Sequence, residues 1–220
     1  MLKKIILSFI LSIILFGINS TNATDVSGTI STDTTWTLAN SPYVITSNLT
    51  LNSGYTLTIN PGVIVKVKSG LAITIRGNLQ SLGTSTENVV FTSYKDDIGG
   101  DTNGDGNVTT PGIDWIAIHI YGAGSTNSIL DYTQVKHAGG HIYPYLYTGI
   151  YIKDSSPTVR NSLITLNYHG IRIRGNSSPT IFNNIIEDNS QNGLYINVSG
   201  GTPDIQNNTI QNICMRLIIQ

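Results

Sequence analysis

Three copies of one short pattern constrain this chain more than anything else in it. PTVRNSLI begins at Pro157, PTIFNNII at Pro179 and PDIQNNTI at Pro203, spaced 22 and 24 residues apart. The first two copies are each followed by a strand that opens on glycine, Gly170-Ile171-Arg172-Ile173 and Gly193-Leu194-Tyr195-Ile196. A period of that length, rich in β-branched residues and without helical spacing, specifies a solenoid of short strands. Superposing the copies puts Val159, Ile181 and Ile205 in one column, with Leu130 as a fainter earlier member. Asn161, Asn183 and Asn207 form the next column, and Leu163 and Ile185 follow. Equivalent residues of successive coils stack about 4.8 Å apart. Aliphatic columns then become a dry core, and the asparagine column is expected to pass amide hydrogen bonds from coil to coil.

The N-terminal half speaks the same language less regularly. Tyr43-Val44-Ile45, Leu49-Thr50-Leu51, Tyr55 to Ile59, Val63 to Val67, Leu71 to Ile75 and Val89-Val90-Phe91 read as strands. Asn60-Pro61-Gly62, Ser69-Gly70 and Arg76-Gly77-Asn78 punctuate them. Short strands at such spacing also suit a sandwich or barrel, and the later repeats decide for the solenoid. The repeated Pro-Thr-Ile-x-Asn-Asn-x-Ile followed by Asn-Gly-Ile-x-Ile resembles the right-handed parallel β-helix family, the pectate-lyase-like solenoids. Leu49 to Val67 and Asn88 to Ser93 resemble the first coils of its secreted bacterial members. The resemblance covers most of residues 40–213 and implies an all-β, right-handed parallel β-helix. It is specific for fold and poor for function, because this fold carries lyases, hydrolases, adhesins and passive surface proteins. After Ile210 the pattern breaks into Cys214 to Gln220, which reads as a truncated member or as one closing strand.

Residues 1–23 stand apart. Lys3 and Lys4 precede an apolar run from Ile5 to Ile18, and Thr21-Asn22-Ala23 offers a cleavage site. This reads as a signal helix, removed on export, so that 24–220 is the mature β-helix at or outside the cell surface and free of the membrane. Its apolar run is shorter than the roughly 20 residues a membrane span needs. Charged residues are only 11% of the chain, against about 25% in an ordinary soluble protein, and 22 glycines serve the many turns. A net charge of −1 argues against nucleic acid as partner. Cys214 is the lone cysteine, so no disulfide within the chain supports the fold.

Two interruptions and one stripe carry the functional expectations. Loops leave the coil near 95–112 and 137–148. The first contains Asp101-Thr102-Asn103-Gly104-Asp105-Gly106-Asn107, which matches the opening of an EF-hand-type loop. Its last carboxylate is missing, and Asp114, with Asp96 or Asp97, is the expected substitute. Asp101, Asn103, Asp105, Asn107 and Asp114 are thus the candidate ligands of a structural Ca2+ ion. The second loop brings His141, Tyr143, Tyr145 and Tyr147 beside the strand bearing Tyr151. In the Gly-led strands, residues between inward aliphatics face solvent. Tyr151, Arg172 and Tyr195 should therefore stack in one column, and Lys153, Arg174 and Asn197 in the next, with His119 and Tyr121 one coil earlier.

Rings and cations on a flat face suit an acidic sugar polymer, with guanidinium pairing to carboxylate. Asp131, Asp154, Glu187, Asp188 and Asp204 fall at different places in their coils, so no paired carboxylates for hydrolysis are expected. The sequence points to a secreted or cell-surface module, non-catalytic, that binds carbohydrate or serves structure and adhesion. Its contact residues are Tyr143, Tyr145, Tyr147, Tyr151, Arg172, Arg174 and Tyr195. The alternative is a uronate lyase using the same face, with Arg172 or a tyrosine as base.

Overall fold

The computed structural model describes residues 23–106, 111–140, 147–212 and 215–219. The signal segment, Asn107, His141, Tyr143 and Tyr145 lie outside the described residues. Among the described residues no helix is long and apolar enough to cross a membrane.

The chain winds as a solenoid with three faces, and every strand pairs in parallel with its counterpart in the next coil. The first face is a seven-stranded sheet, running from Thr34–Trp36 through Thr56–Ile59, Asn78–Leu82, Ile129–Asp131, Thr158–Arg160 and Thr180–Phe182 to Asp204–Gln206. The second face runs through Ile64–Val67, Val89–Ser93, Thr133–Lys136, Leu163–Thr165, Ile185–Glu187 and Thr209–Gln211. The third runs through Ile73–Ile75, Ile118–Tyr121, Thr148–Lys153, His169–Gly175, Asn192–Val198 and Met215–Ile219. One long strand, Tyr43–Leu51, belongs to both of these faces and joins them into a single sheet. Thr24–Ile30 lies along its whole length, with a register shift between Val26 and Gly28. Asn78–Leu82, a strand of polar composition, is the element that the sequence pattern conceals.

Alternation explains the core. On the third face Leu49, Ile73, Ile118, Ile150, Ile171 and Leu194 form one inward column, and Leu51, Ile75, Ile120, Ile152, Ile173 and Ile196 another. None of these side chains is more than 4% exposed. Each contributes roughly 1.5–3 kcal/mol by leaving water. The column Leu130, Val159, Ile181 and Ile205 faces inward as the repeat implies. Leu163 and Ile185 do not. They point outward, Ile185 being 45% exposed, while Ile164 and Ile186 fill the interior.

The asparagine ladder is also displaced by one residue. Asn161, Asn183 and Asn207 sit at the corner between the first and second faces with φ of 49°, 56° and 55°, a left-handed conformation that asparagine tolerates better than most residues. The next residue turns inward and makes the ladder. Asn184 accepts the Ser162 N–H on Oδ1 (3.0 Å), and its Nδ2 donates to Val159 O and to Asn208 Oδ1 (both 2.9 Å). A second ladder runs at the opposite corner of the second face, where Asn167 N and Nδ2 both donate to Asn189 Oδ1 (3.0 and 3.1 Å). Close stacking also explains the leading glycines. A Cβ on Gly170 would sit 2.3 Å from the Gly193 carbonyl oxygen.

The ladder and the corner are separable by mutation. Asn184→Ala strands two buried backbone groups and should cost about 2–4 kcal/mol, at roughly 1–3 kcal/mol per orphaned group. Asn183→Gly keeps the corner geometry and should change stability by less than about 0.5 kcal/mol. Urea midpoints of the two variants check this, and equal losses would refute the assignment of the ladder.

Candidate functional site

The outward residues of the third face follow from the inward ones, since alternate residues of a strand point to opposite sides. Backbone pairing sets His119 beside Tyr151, Tyr151 beside Arg172, and Arg172 beside Tyr195. The neighbouring column is Tyr121, Lys153, Arg174 and Asn197. The structure therefore brings Tyr151, Arg172, Arg174 and Tyr195 together in two adjacent columns, with no Asp or Glu in either. The Arg172 guanidinium carbon lies 4.5 Å from the centre of the Tyr195 ring, a cation–π contact. Tyr147, just before its strand, reaches the same surface through a chain of rings. It lies 5.3 Å from Tyr168, which meets His169 edge-on at 4.9 Å, and His169 lies 6.5 Å from Tyr195.

Burial refines the picture. Tyr151 is only 7% exposed and takes the His119 ring at 5.8 Å, so it packs within the face more than it projects from it. His119 is pushed down to about 4 by burial. His169 is pushed down to about 4 by burial and then by the Arg172 charge. Both imidazoles are thus neutral at pH 7, and the Nδ1 of His169 accepts the Asn192 N–H at 3.2 Å. Tyr168 and His169 escape the sequence pattern because they precede the Gly that opens it, Tyr168 in the corner and His169 as the first residue of the strand.

The first loop is anchored from beneath. Lys66 points outward from Ile64–Val67, yet it is fully buried, because the loop lies over it. Its ammonium donates to Gly100 O and to Thr102 Oγ1. Burial lowers its pKa, against the pull of Asp96, Asp97 and Asp101. The same outward column continues through Thr92 and Lys136, and Asp96 holds both: Thr92 Oγ1 donates to its Oδ2, and Lys136 Nζ lies 2.7 Å from that oxygen. These bonds, with the Ile98 N–H, hold the Asp96 carboxyl below its usual range despite burial.

Within the loop, Asp101 accepts the N–H groups of Asn103 (3.1 Å), Gly104 (2.7 Å) and Gly106 (2.9 Å). One carboxylate oxygen from each of Asp97, Asp101 and Asp105 lies within 4.8 Å of the others. Asn103 Nδ2 donates to Asp105 Oδ2 at 2.7 Å. Buried Oδ1 atoms on Asp97 and Asn103 have no hydrogen-bond partner. Desolvation, and then the charges of Asp105 and Asp101, push the Asp97 carboxyl up. Asp114 lies outside this group. Its Oδ1 pairs with Lys95 at 2.9 Å and its Oδ2 accepts from Ser93 at 2.6 Å. Asp97, ahead of the motif, stands with Asp101 and Asp105 in its place. Carboxylate oxygens are the type of ligand that Ca2+ takes, in sets of six to eight.

A family model described as a right handed beta helix region matches residues 38–214. The chain belongs to the right-handed β-helix family. No curated protein and no solved structure matches it. Within this β-helix the acidic residues of the repeats, unlike those of the loop, lie apart. Asp131 is paired to Arg160 on the first face (2.8 Å), and Asp154 accepts the Asn176 N–H (2.9 Å) at the rim of the third.

The two histidines of the third face set a pH dependence. An unfolded chain takes up a proton on each near pH 6.5, whereas the folded chain does so only near pH 4. Between those values the unfolded state binds more protons, so stability must fall as pH drops from about 6.5 to 4. In His119→Gln that slope should be shallower by up to about 1.4 kcal/mol per pH unit, the value for one proton. Denaturant unfolding at pH 4.5, 5.5 and 6.5 measures it; an unchanged slope would mean that His119 is solvated.

Proposed function

We propose that this β-helix is an exported, non-catalytic module that binds an acidic polysaccharide along its third face. The observation that carries the reading is the pair of columns in which Tyr151, Arg172 and Tyr195 stand beside Lys153 and Arg174 without any carboxylate. Residues repeat along the column at about 4.8 Å, so rings and cations recur along the solenoid axis, where a sugar chain also repeats its rings and charges. Guanidinium groups suit carboxylate in a bidentate fork, and Arg172 is held in place by the Tyr195 ring. Tyr147 and the ring chain behind it extend the face sideways, and Tyr143 and Tyr145 belong to the same proposed contact set. Export rests on the segment 1–23. The Asp97, Asp101 and Asp105 group, with Asn103 and the Asn107 carbonyl, is proposed to hold a structural Ca2+ that relieves the mutual repulsion of its carboxylates.

One observation favours the lyase alternative. Tyr195 lies against Arg172, and a tyrosine serving as base beside a cation that meets the carboxylate suits removal of a proton next to a uronate carboxylate.

Retention on columns of immobilised uronate polymers tests the binding reading. The mature chain should be retained at low salt and released as ionic strength rises. Arg172→Ala with Arg174→Ala should lose at least about tenfold in affinity, corresponding to about 1.4 kcal/mol. Unchanged retention of that variant would refute the reading. Ultraviolet absorbance of unsaturated sugar ends should stay flat, and a rise would establish the lyase instead. For the loop, 1 mM-scale Ca2+ should raise the melting temperature in a chelator-reversible way, as expected for any ligand that binds only the folded state. Asp101→Asn should abolish that shift.

A further inference from the structure

Beyond the Arg172 region, the two outward columns continue one coil towards the N-terminus and enclose a separate cleft. Its lining is Thr74, Arg76, His119, Tyr121, Tyr151 and Lys153, and its volume is about 270 Å³. That is room for a single sugar unit, and the cleft shares Tyr151 and Lys153 with a second depression of about 320 Å³ that reaches Arg174 and Asn197. Arg76 follows Ile75, which pairs with Ile120, so Arg76 stands one coil before Tyr121 and two before Lys153. The Arg76 guanidinium carbon is 5.2 Å and the Lys153 ammonium 5.5 Å from the centre of the Tyr121 ring. Neither cation enters an ion pair among the described residues. At the base, His119 has a buried Nε2 with no hydrogen-bond partner, and a buried polar atom in that state is one that a hydroxyl group would satisfy.

We infer that this cleft is a distinct subsite for one acidic sugar unit, in which Arg76 pairs with its carboxylate beside Tyr121, Lys153 stands one coil beyond that ring, and a ring hydroxyl meets His119. The inference rests on the polysaccharide reading above and adds Arg76, His119 and Tyr121, which that reading does not use. Arg76 and Lys153 flank the Tyr121 ring from the coil before and the coil after, so the cleft offers a cation on either side of that ring, and charge-assisted hydrogen bonds are the strong ones. The walls, Thr74 and Tyr151, offer a hydroxyl and a ring to the rest of the sugar. The shared Lys153 makes this subsite continuous with the Arg174 depression, so a chain seated here extends naturally along the face.

The test is a nuclear magnetic resonance titration of the mature chain with D-glucuronate, D-glucose and inorganic sulfate. Glucuronate should shift the amides of Tyr121 and Lys153 and the Arg76 Nε–H signal, with at least tenfold weaker responses to glucose and sulfate. Arg76→Gln should weaken glucuronate binding about tenfold, and Arg76→Lys should recover part of it; both changes lie at an exposed position and leave the core intact. Sulfate binding as strongly as glucuronate would overturn the inference, leaving a plain anion site. Polymer retention that survives Arg76→Gln, with no glucuronate response, would overturn it while the polysaccharide reading stands. Glucuronate binding without polymer retention would do the reverse.

Discussion

Coil-to-coil stacking inside the solenoid is the constraint on which everything else depends. With one cysteine and no long-range crosslink, each coil is held by its neighbours through backbone pairing, aliphatic columns and buried side-chain amides. The amides are the demanding part. Asn184 and Asn167 each satisfy backbone groups of the coil before while receiving or giving hydrogen bonds along the column. Such a network is favourable only when every member is satisfied. It fixes the register of each coil on the next, and register is what turns a sequence period into columns of identical function on the outer surface.

That dependence explains what was legible in the sequence. The period, the parallel pairing and the outward columns follow from residue spacing alone, because a strand has only two sides. Arg172 and Tyr195 could be placed beside each other for that reason. Corners are less legible. Asn183 and Asn184 are adjacent and identical, yet one takes a left-handed turn and the other builds the ladder. Nothing in composition separates them, since only the backbone turn decides which faces inward. Lys66 is similar: alternation correctly points it outward, but its burial comes from a loop thirty residues later in the chain. Asp114 shows the limit of spacing. Sequence proximity to the DxNxDG motif suggested a ligand, while Lys95 and Ser93 hold its carboxylate elsewhere. Arg76 was missed because the long interruption after Ser93 separates its coil from the regular repeats.

The outer surface divides its work between faces. The third face carries rings and cations in unbroken columns. The second is partly roofed by a loop whose acidic groups face Lys66 and Lys136 from above. A lysine without water around it is costly unless its donors are met, and here a carbonyl and a hydroxyl of the loop meet them. The loop is thereby fixed to a rigid sheet, which is the arrangement that gives loops reproducible geometry.

The strand Tyr43–Leu51 has a mechanical consequence. It passes from the second face to the third as one continuous strand, whereas later coils break at left-handed residues such as Leu166 and Asp188. Tension along the chain at this coil is therefore shared by two paired strands, Thr24–Ile30 bulging once between Val26 and Gly28. Farther on, each corner can open by itself. The coil built on Tyr43–Leu51 thus lacks the hinge that each later coil has, up to the repeats that carry Arg172 and Tyr195.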